Sequence, residues 1–157
     1  MDFGEWFAFV GPAYLVAVAV PLARIDLKQH RLPNRLVLPA VPITLLGQGT
    51  SASITGEWSR LGQALLAMTV AFVIGVLLNR FASLGMGDVK LIAAASLMLG
   101  WFGPLWPLVA VCLAFTLVSL VVLPKVLLRR LSLKRSMALG PYLLVGIIGV
   151  FGVLPFN

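Results

Sequence analysis

The sequence predicts an all-α, polytopic membrane protein, a bundle of six transmembrane helices. Three observations predict it. Of 157 residues, 61% are hydrophobic and only 11% are charged, and the mean hydropathy is +1.05. Soluble domains run at roughly 45–50% apolar and about 25% charged. The apolar residues come in continuous runs rather than alternating, which argues for helices and against a membrane β-barrel. The basic residues are confined to short stretches between those runs. One membrane-embedded domain over residues 1–157 accounts for the whole chain.

The first apolar segment covers about residues 6–23. It is long enough to cross, since ~20 residues span the hydrocarbon core. Asp2 and Glu5 precede it, no basic stretch does, and it ends in charge at Arg24-Ile25-Asp26. A cleavable signal is therefore not expected. A polar loop, 26–34, should follow, with Lys28, His30 and Arg31. Pro33 disfavours helix at Leu32, and Asn34 is a candidate N-cap. Segment two, about 36–46, is short and interrupted by Pro39 and Pro42, as in a kinked helix packed inside the bundle. Residues 48–60 read as a polar loop.

Segment three covers about 61–78 and ends at Asn79-Arg80. The loop Gly85-Met86-Gly87-Asp88-Val89-Lys90 leads into segment four, about 89–102. Gly103-Pro104 breaks the chain before segment five, about 105–123. Residues 124–136 interleave five basic residues with leucine and valine, as in a short interfacial helix. Segment six covers about 137–154. Cys112, inside segment five, is expected to be a buried spectator. Trp58, Trp101 and Trp106 read as interfacial anchors.

Eleven of the twelve Lys and Arg residues fall after segments one, three and five; Arg60 is the exception. The positive-inside rule then puts those three loops in the cytoplasm and both termini outside. The net charge of +7 points to an anionic lipid leaflet as partner, not nucleic acid. With one His and one Cys, no zinc set can be assembled. No cofactor is expected.

The chain holds five acidic residues, so a carboxylate beside a span is a candidate for function. Asp26 and Asp88 fall on the same predicted face. Like charges brought close cannot both ionise easily, and the pair would titrate as a unit. That suits aspartic proteolysis: the ionised member takes a proton from water and the protonated member polarises the scissile carbonyl. Gly85 and Gly87 would let backbone approach a substrate closely. Lys90 would tune the pair or reach to headgroups. Ordinary ion pairs, Asp26 with Arg24 and Lys28 and Asp88 with Lys90, would also account for both carboxylates. A small proton-coupled transporter or a secretion-system assembly subunit are the alternatives of a different class. No ionisable residue deep in any span supports the first of these.

Three motifs weigh on the choice. Asp26 stands six residues before Leu32-Pro33-Asn34, and Val37-Leu38-Pro39 follows. Gly85 to Leu91 continues into the small, apolar stretch 92–100. Leu139-Gly140-Pro141-Tyr142-Leu143 lies in the last helix. In this order, over nearly the whole chain, they resemble the three signatures of the type IV prepilin peptidases. The resemblance implies a compact, peptidase-only membrane aspartic endopeptidase of a prokaryotic inner membrane, with Asp26 and Asp88 catalytic. Pro33, Asn34, Gly85, Gly87, Lys90, Gly140 and Pro141 would bind substrate or shape the site. Prepilin or pilin-like precursors would be the partners, and no metal is implied at the site. Ala138 and Leu139 stand where the third signature more often has Pro and Phe. Larger members carry paired, zinc-binding cysteines in an N-terminal extension, and some also N-methylate their product. Neither feature is expected here. The oligomeric state is left open.

Overall fold

The computed structural model describes residues 3–29, 31–82, 84–127 and 139–154. All its regular structure among them is helical. A 3-10 helix, Phe3–Phe9, runs into α1 (Val10–Gln29). The short α2 (Asn34–Val37) is followed by α3 (Ala40–Thr55), α4 (Trp58–Ala82), α5 (Met86–Gly100), α6 (Trp106–Leu127) and α7 (Gly140–Phe151). Counting α2 with α3, these are the six expected segments. Four of them are long and apolar enough to cross a membrane: Phe3–Gln29, Asn34–Thr55, Trp58–Ala82 and Trp106–Pro124. The fifteen residues of α5 rise only ~22 Å, less than the ~30 Å hydrocarbon core.

The bundle is built around α5. Every residue from 91 to 100 is buried, and α2, α3, α4, α6 and α7 all pack on it. Its seam with α4 is close because glycine stands on both sides. A Cβ at Gly75 would come within 2.7 Å of Val89 Cγ1, and one at Gly100 within 2.9 Å of Ala64 Cα. Small residues at a membrane helix seam let backbones approach and gain dispersion contacts. The buried side chains of α1, α5, α6 and α7 form one core around Leu22, Leu91, Met98 and Leu143.

Several boundaries differ from expectation, each for a physical reason. Residues 48–55, expected as loop, complete α3. Thr50, Ser53 and Thr55 turn their hydroxyls onto carbonyls four residues back, at 2.8, 2.8 and 2.9 Å, so polar side chains are satisfied within the helix. Gln48 is fully buried and donates from Nε2 to the Leu97 carbonyl of α5, 3.0 Å away. The helix stops at Gly56, whose φ of 77° is the left-handed cap glycine adopts readily. The expected interruption at the prolines is a break between α2 and α3, with Pro39 at the N-cap of α3. Pro124, expected to end segment five, lies inside α6.

Three side chains depart from the sequence reading. Trp101 is 2% exposed and packs with Ala8, Ala52, Ala64 and Leu97 instead of anchoring at an interface. Cys112 is on the exposed face of α6 rather than buried. Asn34 is not an N-cap: Pro33 holds that position, and its carbonyl accepts from the Leu36 amide at 3.0 Å. The expected interfacial helix of 124–136, and His30, lie largely or wholly outside the described residues.

Candidate active site at one end of the bundle

Asp26 does not sit in a loop. The helix continues past Arg24 to Gln29, which places Asp26 on the last full turn of α1, 3% exposed. A buried carboxylate needs hydrogen-bond donors. One is supplied from 114 residues away: the Gly140 amide donates to Asp26 Oδ2 at 2.9 Å. Gly140 is the first residue of α7, and Pro141 follows it in the first turn. Proline there forfeits no hydrogen bond and presets the helical φ. Pro141 therefore starts a helix rather than bending one. The free amides and positive dipole end of α7 lie against the carboxylate.

Position 140 is tight against that carboxylate. A Cβ would lie 2.7 Å from Asp26 Oδ2 and 3.0 Å from its Cγ. The contact is close because the α7 backbone approaches Asp26 directly.

Asp88 stands in the first turn of α5, outside the four spans, with Gly85 in extended conformation at the N-cap. Its side chain folds back over that cap: a Cβ on Gly85 would be 2.7 Å from Asp88 Oδ2. Partial burial, and then the charge of Asp26, push its pKa up from 3.8 to about 6. The two carboxylates thus sense each other across the gap between α1 and α5.

The loop between α1 and α2 ties the three motifs together. Leu32 is buried, and its side chain fills the space at two glycines. A Cβ at Gly87 would meet Leu32 Cβ at 2.9 Å, and one at Gly140 would meet Leu32 Cδ2 at 3.1 Å. Lys90 Nζ donates to Asn34 Oδ1 at 3.0 Å, so it is held at the start of α2. Tyr14 donates its hydroxyl to the Leu36 carbonyl at 3.0 Å, fixing α2 to α1. All the residues expected to shape a site (Pro33, Asn34, Gly85, Gly87, Lys90, Gly140 and Pro141) fall at this end of the bundle, around Asp26 and Asp88.

Two contributors were missed in sequence. Leu32 read as an ordinary motif leucine, and its place between two glycines is a tertiary fact. Asn79 donates its side-chain amide to the Leu84 carbonyl, pinning the segment before Gly85 to the end of α4. A lone amide closing an apolar run was the available signal. Among the described residues, no three His, Cys, Asp or Glu side chains gather as metal ligands. What the arrangement offers is acid–base chemistry by two carboxylates with different surroundings.

Fold and site together define a helical membrane protein whose first, fifth and seventh helices bring two carboxylates to one end. A profile of the type IV leader peptidase family matches residues 13–123, and the chain belongs to that family. The match includes Asp26 and Asp88 and stops before Gly140. A prepilin leader peptidase/N-methyltransferase from Pectobacterium carotovorum subsp. carotovorum is 32% identical over 155 residues, covering 94% of this chain and 52% of that protein. Its namesake from Aeromonas salmonicida (strain A449) is 31% identical over 139 residues, 83% of this chain and 45% of that protein. A third, from Dickeya chrysanthemi, is 30% identical over 154 residues, 94% and 51% respectively. The chain spans about half the length of the curated relatives it matches. No solved structure gave a significant match.

Proposed function

We propose that this protein is a membrane aspartic endopeptidase that removes the leader from prepilin or pilin-like precursors at the cytoplasmic membrane face. What supports the reading is that Asp26, bonded by the Gly140 amide, and Asp88, next to Gly87, are brought to one end of the bundle around Leu32 in a chain of the leader peptidase family. We assign the proton to Asp88, whose neutral form is favoured by burial and then by the Asp26 charge. Its proton polarises the scissile carbonyl. Asp26, oriented by the Gly140 amide, takes a proton from water. The water oxygen bonds to the carbonyl carbon, the C–N bond breaks, and the new amine takes up a proton from the pair. No side-chain nucleophile takes part.

The basic loops supply the orientation. With eleven of twelve Lys and Arg residues on the loops after the first, third and fifth segments, those loops face the cytoplasm and the anionic leaflet, and both termini face outward. Asp26 and Asp88 then meet a precursor whose basic leader stays on the cytoplasmic side of a prokaryotic inner membrane.

The test is co-expression with candidate prepilins, reading leader loss by mass shift for the wild type beside Asp26→Asn and Asp88→Asn. Wild-type cleavage and loss of cleavage in both variants, with each still folded in the membrane, is the expected result. Full activity in either variant would falsify the reading.

A further inference from the structure

We propose that a groove between α4 and α6 is the docking site for the apolar helical stem of the precursor, and that it delivers the stem's first residues to Asp88. This rests on the catalytic reading above and adds to it where the substrate lies. The groove encloses about 380 Å³. Val70 and Ile74 of α4 form one wall, Leu108 and Phe115 of α6 the other, and Ile92 and Ser96 of α5 the floor. The wall on α4 runs from Gln63 to Leu78, or ~22 Å at helical rise, most of the ~30 Å hydrocarbon thickness.

Continuity with the site selects the occupant. Positions four apart lie on one helix face, so Asp88, Ile92 and Ser96 share a face of α5. The floor of the groove therefore ends one helical turn from Asp88. At that end the groove is bounded by Leu84, the residue held by Asn79 just before the Gly85 cap. No lining side chain is charged, which suits an uncharged segment. Ala67 and Ala71 on the α4 wall let a helix backbone come close. The flanking helices are also the two least covered spans. Only 11% of the α4 window and 17% of the α6 window are buried, against 28% and 39% for the other two.

The test uses a prepilin that the wild-type chain cleaves, in lipid vesicles. Val70, in the wall, and Val73, outside it, are similarly exposed at 48% and 52%. Val70→Trp should raise KM about 10-fold with kcat within about 2-fold, the mark of lost binding. Val73→Trp should leave both unchanged. Equal effects of the two, or none from Val70→Trp, would overturn the assignment. Cross-linking keeps it testable should Val70→Trp fold poorly. In a Cys112→Ser background, Leu108→Cys should form disulfides with single cysteines every three to four residues along the stem. Val16→Cys, on the exposed face of α1, should not. Cross-links from Val16→Cys alone, or none from Leu108→Cys because lipid fills the groove, would overturn it. If the wild type cleaves no prepilin, the catalytic reading fails first and the docking assignment with it. Intact kinetics in Val70→Trp would remove only the docking.

Discussion

The two ends of the bundle carry carboxylates in contrasting surroundings. At the end opposite Asp26, Arg60 reaches Glu57 at 3.0 Å and Glu5 at 3.7 Å, with all three side chains partly open. These are surface ion pairs, in which a flexible cation meets each charge as it stands. At the other end, Asp26 is buried, receives a backbone amide fixed at the start of α7, and raises the pKa of a second carboxylate. One end neutralises charge with charge. The other buries one carboxylate and raises the pKa of a second, by burial and then by the first one's charge, and that difference, more than the presence of acidic residues, marks the site.

The sharpest way to break this comparison is to remove the amide's access. Gly140→Ala puts a methyl group 2.7 Å from Asp26 Oδ2. Cleavage should fall by about 10²-fold, the scale of a 1 Å displacement at a catalytic group. Arg60→Ala should leave cleavage untouched. Kinetics on purified, vesicle-embedded protein decide this, and unchanged activity in Gly140→Ala would show that α7 does not orient Asp26.

Next in size is Leu32→Ala. It removes the side chain that separates Gly87 from Gly140 and should lower stability by about 2–5 kcal/mol as a cavity opens, with cleavage falling further than folding explains. Leu32→Met should recover most of both. Unfolding followed by circular dichroism, beside activity, separates the two losses.

The pH response sharpens the contrast. The folded pKa of Asp88, about 6, lies above the ordinary 3.8, so folding favours its protonated form. That stabilisation is complete below about pH 4 and is lost as pH rises through about 6. Thermal melts from pH 4 to 8 should show a falling contribution that Asp88→Asn abolishes and Glu57→Gln leaves in place. Because the proposed acid is protonated Asp88, kcat/KM should also decline as pH rises above about 6.

The smallest effect is expected at the opposite end. Arg60→Ala should change stability by at most about 1 kcal/mol, as exposed ion pairs contribute little. A larger loss would mean that end also has a structural function beyond surface charge.

Much of this contrast was legible in the sequence. The apolar runs gave six segments, and the charge pattern put Asp26 and Asp88 on one face. The family motifs singled out Gly85, Gly87 and Gly140. What could not be read was tertiary. Thr50, Ser53 and Thr55 looked like loop because composition does not reveal that their hydroxyls bond back within a helix. Trp101 looked like an anchor because its burial depends on which helix faces it. Asn34 looked like a cap, and its side chain is taken instead by Lys90, 56 residues later. The gap between Gly87 and Gly140 belongs to Leu32 only once three helices have closed around it.

The register of α4 on α5 has one more consequence. Gly75 lies against Val89 and Ala64 against Gly100, so Asp88 is level with about residue 76 of α4. That helix continues to Ala82, about 9 Å further at 1.5 Å per residue, while α1 overshoots Asp26 by three residues. The ends of two helices therefore extend past the level of the two carboxylates. Whatever reaches the carboxylates from beyond that end of the bundle must first pass these two helix ends.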